Sequence, residues 1–274
     1  MRKIISSQKL LYCRKTRIFI NYYNFTLYIL IAVALIYGCE QGHFKDLNAS
    51  KIIVEQSKYD EYLINRHNGI HDLSGDMPKD SSRGIVLVHG FYPPKWPTKG
   101  FEWTVALRNM AKTKYPVWWF RHEWNDCPEN NSRILDIALD SLKSNIEALE
   151  LVYVIGHSNG GLIVADLAEK WDSDLYISAH SIASGLNHYR DRLKLCEVQG
   201  KKEYVFGKNV EYIQWRTAKE VDGAFKDLDY DPQEVNLKNG KFILLPKEWN
   251  DKRLGHNLSI QLVMEKLINK INLF

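Results

Sequence analysis

The sequence predicts an α/β protein, a mainly parallel β-sheet with helices on both faces. Three observations carry that prediction. Strand-like and helix-like segments alternate from residue 84 to the C-terminus of the 274-residue chain. The apolar runs at 84–88 and 151–155 are continuous instead of alternating, the pattern of strands buried on both faces. A glycine-flanked serine, in Gly156-His157-Ser158-Asn159-Gly160-Gly161, stands where the second run hands over to a helix-like segment. Such alternation makes a parallel sheet, because parallel neighbours need a crossover and the crossover is usually a helix.

The elements follow in order. Residues 40–83 are polar and weakly patterned, a linker and N-terminal edge with residues 51–54 as a candidate edge strand. His67 and His71 lie in a Gly- and Asp-rich stretch and are expected to be solvated. From 84 to 274 a single α/β domain is expected, large enough for a full core. Residues 84–88 form its first core strand, 101–114 a helix, and 116–120 the next strand. Ser132 is placed to cap a helix whose apolar face is Leu135, Leu139, Leu142, Ile146 and Leu149. The strand 151–155, the serine turn and the helix 162–171 come next. Strands at 175–182, 210–215 and 241–245 follow, and the helix 257–271 closes the chain with Ile260, Val263, Leu267 and Ile271 on one face. No internal repeat is present.

The net charge of +4 belongs to the N-terminus. Residues 1–38 hold Arg2, Lys3, Lys9, Arg14, Lys15 and Arg17 and no acid, so the rest of the chain has 31 basic against 33 acidic residues. That balance gives no case for nucleic acid binding. The basic stretch runs into an apolar one at 25–37, which reads as an export signal or membrane anchor over residues 1–39. The run ends Gly38-Cys39, which resembles the bacterial lipoprotein signal with Cys39 as the lipidation candidate. Tyr37 is bulky for that signal, and an uncleaved signal anchor is the alternative. Both predict an extracytoplasmic domain tethered to a membrane. Within the domain, Cys127 and Cys196 each follow a strand at the same sheet edge, so a disulfide and two separate thiols both remain open.

The chemistry centres on Ser158. Strand, tight turn and helix with G-x-S-x-G at the turn is a nucleophile elbow. The glycines are needed because side chains at 156 or 160 would collide with the neighbouring strand or helix. A serine hydroxyl is a weak nucleophile and needs a base, which needs an orienting acid. His256, in the loop between the last strand and the last helix, is the best placed base. His157 neighbours the serine but points away on so tight a turn, and His180 is expected to be a structural histidine within a strand. The acid should follow the strand 210–215; Asp222 before Gly223 is preferred, with Glu220 and Asp227 open. Two backbone amides should form an oxyanion hole, Asn159 N–H after the nucleophile and Phe91 N–H after the first core strand. His89 is expected to brace that loop. Phe91, Tyr92, Trp96, Phe101, Trp103, Trp119 and Trp124 crowd this region, as an apolar acyl pocket or, for most of them, as core and loop packing, and Pro93, Pro94 and Pro97 stiffen the loop after Phe91. Asp227, Asp229 and Asp231 alternate like calcium ligands, but Pro232 and Lys238 stand where such a loop needs glycine and glutamate. No metal or cofactor is therefore expected.

Residues 87–91, 156–161 and Gly255-His256, in that order, resemble the α/β-hydrolases of the esterase/lipase type. The resemblance covers roughly residues 84–271. It implies the α/β-hydrolase fold with a small lid or none, since only about 27 residues separate the strands at 175–182 and 210–215. It also implies a serine hydrolase that cleaves small-molecule or lipid carboxylic esters through an acyl-enzyme. Thioesters and amides suit the same machinery. A hydrolase-fold lipoprotein that binds a surface partner without catalysis is the competing expectation.

Overall fold

The computed structural model describes residues 63–64, 66–74, 80–92, 103–110, 112–187 and 193–272. The leader, Cys39 and the candidate strand at 51–54 lie outside these residues. Among the described residues no helix is long and apolar enough to cross a membrane.

Seven strands form one sheet: β1 (Gly69–Asp72), β2 (Arg83–Val88), β3 (Val117–Arg121), β4 (Leu151–His157), β5 (Tyr176–Ile182), β7 (Val210–Arg216) and β9 (Gly240–Leu244). Their spatial order is β1-β3-β2-β4-β5-β7-β9. All neighbours are parallel except β1, which pairs antiparallel with β3 through Gly69–Arg121 and Asp72–Trp118. The helices are α1 (Thr104–Met110), α2 (Pro128–Asn145), α3 (Asn159–Lys170) and α4 (Leu258–Asn272). Short strands β6 (Glu203–Val205) and β8 (Asn236–Lys238) pair outside the main sheet, and β10 (Glu248–Trp249) and β11 (Lys252–Arg253) make a hairpin before α4.

The continuous apolar runs are buried on both faces, as their pattern requires. Ile85 and Leu87 of β2, with Tyr153 and Ile155 of β4, point into one core, where α1 and α4 pack. Val86, Val88, Val152 and Val154 point into the other, covered by α2 and α3. The closing helix buries its expected face, with Ile260, Val263 and Ile271 fully covered.

Three expectations are corrected. First, α2 starts at Pro128 with Cys127 as N-cap, a turn ahead of Ser132, which is buried within the helix. Proline suits the first helical position, where its missing N–H would be unpaired anyway. Second, His71 is not solvated: it lies in β1, is buried, and its Nε2 donates to His67 O at 2.9 Å. Ile70 and Leu73 beside it pack into the cores, and β1 adds antiparallel to the edge of β3. Third, the helix expected at 101–114 spans only Thr104–Met110 among the described residues. The strand expected at 241–245 is β9, the far edge of the sheet, with Phe242 and Leu244 largely open to solvent.

The two thiols are joined. Cys127 and Cys196 form a disulfide with Cα atoms 5.4 Å apart, tying the N-terminus of α2 to the segment between β5 and β6. Between β5 and β7 the described residues carry only turns, a short 3-10 turn and β6, with no helical lid.

Candidate active site

Ser158 sits at the turn from β4 to α3 with φ 54° and ψ −117°, a conformation L-residues rarely adopt. The local packing enforces it. A Cβ on Gly156 would lie 2.3 Å from Gly160 O, and one on Gly160 would lie 2.4 Å from Val88 O and from His89 O. Nothing larger than glycine fits at positions 156 and 160. The turn is then bonded down: Ser158 N–H donates to Ile182 O at 2.9 Å, and Ser184 Oγ donates to Ser158 O at 2.8 Å. Ser158 remains half-buried and so reachable.

The loop after β2 lies against the serine. A Cβ on Gly90 would come within 3.1 Å of Ser158 Cβ, which sets Phe91 next to the nucleophile in the chain's path. This loop is braced by two buried histidines. His89 Nδ1 donates to Gly90 O at 2.7 Å, so His89 Nε2 is the acceptor for His122 N–H at 3.2 Å. His122 Nε2 donates back to His89 O at 2.8 Å, and the rings stack 3.9 Å apart. Burial, then the neighbouring His122, pushes His89 well below the usual imidazole range and keeps it neutral. His89 thus braces the loop as expected. His122 was not singled out from the sequence; only its position two residues beyond the strand-like run 116–120 could have pointed to it.

His256 lies between β11 and α4, half-buried, with its ring edge-on to Phe225 at 5.3 Å. Its Nδ1 is 3.1 Å from both carboxylate oxygens of Asp222. Asp222 follows a short 3-10 turn after β7 and is fully buried. Burial alone would raise its carboxyl. The hydrogen bond and charge of His256, the Thr217 hydroxyl and the Ala224 amide outweigh that and hold it below the ordinary carboxylate range. Glu220, by contrast, is exposed and paired with Lys247, and Asp227 is exposed. Among the described residues Asp222 is the carboxylate that meets His256.

The elbow and the His256 loop touch through His157. Its Nε2 donates to His256 O at 3.0 Å, and the two rings are 4.7 Å apart. Burial, then the proximity of His256, drives His157 down to about 3, so it stays neutral and serves as a strut. No hydrogen bond joins Ser158 Oγ to His256 among the described residues; nucleophile–base contacts are commonly loose without substrate. His180 is a satisfied core histidine, bonded to Ser178 Oγ and Trp215 Nε1.

Most of the aromatic cluster is core: Trp103 and Trp119 are fully buried and meet edge-to-face at 5.2 Å, and Tyr92 is buried beside them. Trp124 is partly buried under the Arg121 guanidinium. Trp96, Phe101, Pro93, Pro94 and Pro97 lie outside the described residues. The sulfurs of Cys127 and Cys196 and a carboxylate oxygen of Glu129 lie within 4.8 Å of one another, but the disulfide occupies both sulfurs.

No protein-family model matches the chain, and no curated protein matches it in sequence. Solved structures do match. Esterase B from Lactobacillus rhamnosis is 11% identical with a TM-score of 0.49, over 89% of this chain and 94% of its own. Est1E from Butyrivibrio proteoclasticus is 12% identical with a TM-score of 0.46, over 74% and 92%. An α/β serine hydrolase without lid from Xanthomonas campestris is 11% identical with a TM-score of 0.45, over 74% and 85%. The strand order, the parallel crossovers and the strained serine between β4 and α3 are those of the α/β-hydrolase fold.

Proposed function

We propose that this protein is a serine hydrolase that cleaves carboxylic esters through an acyl-enzyme. The observation that carries this reading is a strained, accessible serine at the elbow, next to a loop whose histidine bonds a buried, ionised aspartate. In that mechanism Ser158 Oγ attacks the ester carbonyl carbon while His256 Nε2 takes its proton. Asp222 holds the Nδ1–H tautomer and stabilises the imidazolium that forms. The amides of Phe91 and Asn159 stabilise the tetrahedral oxyanion, Asn159 with the aid of the α3 dipole. Collapse breaks the bond to the leaving alkoxide, which receives the proton from His256. Water then attacks the acyl-enzyme by the same steps and releases the acid. No cofactor is required.

We further propose that residues 1–39 tether this domain outside the cytoplasm, through lipidated Cys39 or an uncleaved anchor. The disulfide supports that location, since such bonds persist in oxidising compartments.

The full-length chain should hydrolyse p-nitrophenyl butyrate, and Ser158→Ala should abolish that activity. A folded wild-type chain inactive on p-nitrophenyl esters, on thioesters and on anilides would overturn the reading and favour a non-catalytic binding protein.

A further inference from the structure

The acid side of the site continues inward beyond Asp222. Leu245 N–H donates to Arg216 O at 2.7 Å, the last backbone bond between the end of β7 and the chain beside it. Thr217 is the next residue, fully buried, and no strand is left to pair with it. A side chain takes the strand's place. Thr217 N–H donates to Gln233 Oε1 at 2.9 Å, and Gln233 Nε2 donates to Thr217 O at 2.8 Å. These two partners fix which end of the amide is oxygen and which is nitrogen. Gln233 is also fully buried and is itself held. Its N–H and Nε2 both bond Asp231 Oδ1, at 2.9 and 3.2 Å, and its carbonyl accepts from Gln214 Nε2 at 2.8 Å.

The result is a fixed Thr217 whose hydroxyl donates to Asp222 Oδ2 at 2.5 Å. The same hydroxyl lies 3.1 Å from Gln233 Oε1, so its single proton has two acceptors to choose from; the shorter, charged one is preferred. A carboxylate with no solvent exposure needs its lone pairs answered, and Asp222 has Thr217 Oγ1, Ala224 N–H and His256 Nδ1. Thr217 Oγ1 donates to Oδ2 and Ala224 N–H to Oδ1, one on each oxygen, while His256 Nδ1 lies 3.1 Å from both.

We propose that Thr217 and Gln233 are positioning residues, a buried clamp that aims Asp222 at His256. This rests on the serine hydrolase reading of the site. Neither residue touches substrate in that reading; Gln233 acts only through Thr217, and Thr217 only through Asp222.

The test uses the full-length chain and p-nitrophenyl butyrate, with Thr217→Val, Thr217→Ser, Gln233→Leu and Ser158→Ala compared. Valine keeps the shape of threonine and removes only the hydroxyl. Thr217→Val should lower kcat about 10- to 100-fold, the worth of a hydrogen bond to a charged group, with KM nearly unchanged. Thr217→Ser should restore kcat close to wild type, and Gln233→Leu should lower kcat in the same way. Proton NMR supplies a readout independent of turnover: the His256 Nδ1 proton should resonate at low field in the wild type and shift in Thr217→Val. A Thr217→Val enzyme with wild-type kcat and an unmoved Nδ1 proton overturns the clamp. So does an equal loss in Thr217→Ser, or a loss accounted for by the unfolded fraction in a thermal melt. If wild type and Ser158→Ala are equally inactive, the hydrolase reading fails instead, and the Nδ1 proton still decides whether Thr217 sets the Asp222–His256 contact.

Discussion

Asp222→Asn removes one charge while keeping the side chain's shape, and its cost can be worked from the site. In the proposed mechanism an imidazolium forms on His256 as Ser158 gives up its proton, and its attraction to Asp222 stabilises the transition state. His256 Nδ1 is 3.1 Å from the carboxylate. At an effective dielectric of about 20, opposite charges at that distance attract by about 5 kcal/mol, close to 10⁴ in rate. The amide also disturbs the hydrogen bonds. Thr217 Oγ1 donates to Oδ2 and Ala224 N–H to Oδ1, so the amide keeps both contacts only with its NH₂ toward Thr217, whose hydroxyl must then turn from Asp222 to Gln233 Oε1. That adds a destabilisation of about 1–3 kcal/mol. The assay is kcat on p-nitrophenyl butyrate with a thermal melt of each variant, alongside Glu220→Gln and Asp227→Asn. Both controls should behave as wild type, because Glu220 is exposed and paired with Lys247 and Asp227 faces solvent. A folded Asp222→Asn enzyme within tenfold of wild type would refute the reasoning. An equal loss in either control would reassign the acid.

Three further predictions concern the scaffold. Opening the disulfide by Cys127→Ser with Cys196→Ser frees a loop of sequence separation 69, which the chain-entropy relation values at about 4 kcal/mol; Tm should fall by about 8–16 °C, and a fall of less than about 3 °C would count against the cross-link. Gly160→Ala puts a Cβ 2.4 Å from two backbone carbonyl oxygens, so it should destabilise by at least about 2 kcal/mol in urea unfolding; a neutral outcome would mean the elbow is looser than described. Burial would raise Glu211, but Lys241, Ser178 and Lys270 hold it down to about 2. A depressed folded value means its stabilising effect is complete above the ordinary 4.5 and is lost as pH falls from there through about 2. Glu211→Gln should flatten the acid loss of the urea midpoint across that window, and an unchanged pH profile would show the carboxylate contributes nothing.

The parts of the fold legible in the sequence were those written locally. The runs at 84–88 and 151–155 announced strands buried on both faces, and Gly156 and Gly160 around Ser158 announced a turn with no room for side chains. Chain order alone led to His256 and Asp222, because a parallel sheet brings the loops after successive strands to one edge. What stayed hidden was set by contacts between distant positions. The pairing of Cys127 with Cys196 depends on where α2 and the β5–β6 segment meet, and no local signal reports it. His71 looked solvated among glycine and aspartate, yet β1 pairs it with Trp119 on the outer edge of β3. His122 and Gln233 act through residues 33 and 16 positions away, His89 and Thr217, so neither belongs to any motif. Ser132 offered a cap in composition, but Pro128 and the fixed end of the disulfide start α2 earlier.

The central claim is that Ser158 is an activated nucleophile with His256 as its base. Fluorophosphonate labelling of the full-length chain tests it most directly, because the probe reacts with an activated serine and not with an ordinary hydroxyl. Mass spectrometry should find the adduct on Ser158 in the wild type and no adduct in Ser158→Ala or His256→Ala. A folded wild-type protein that takes no label, or a His256→Ala variant labelled as fast as wild type, would contradict the account.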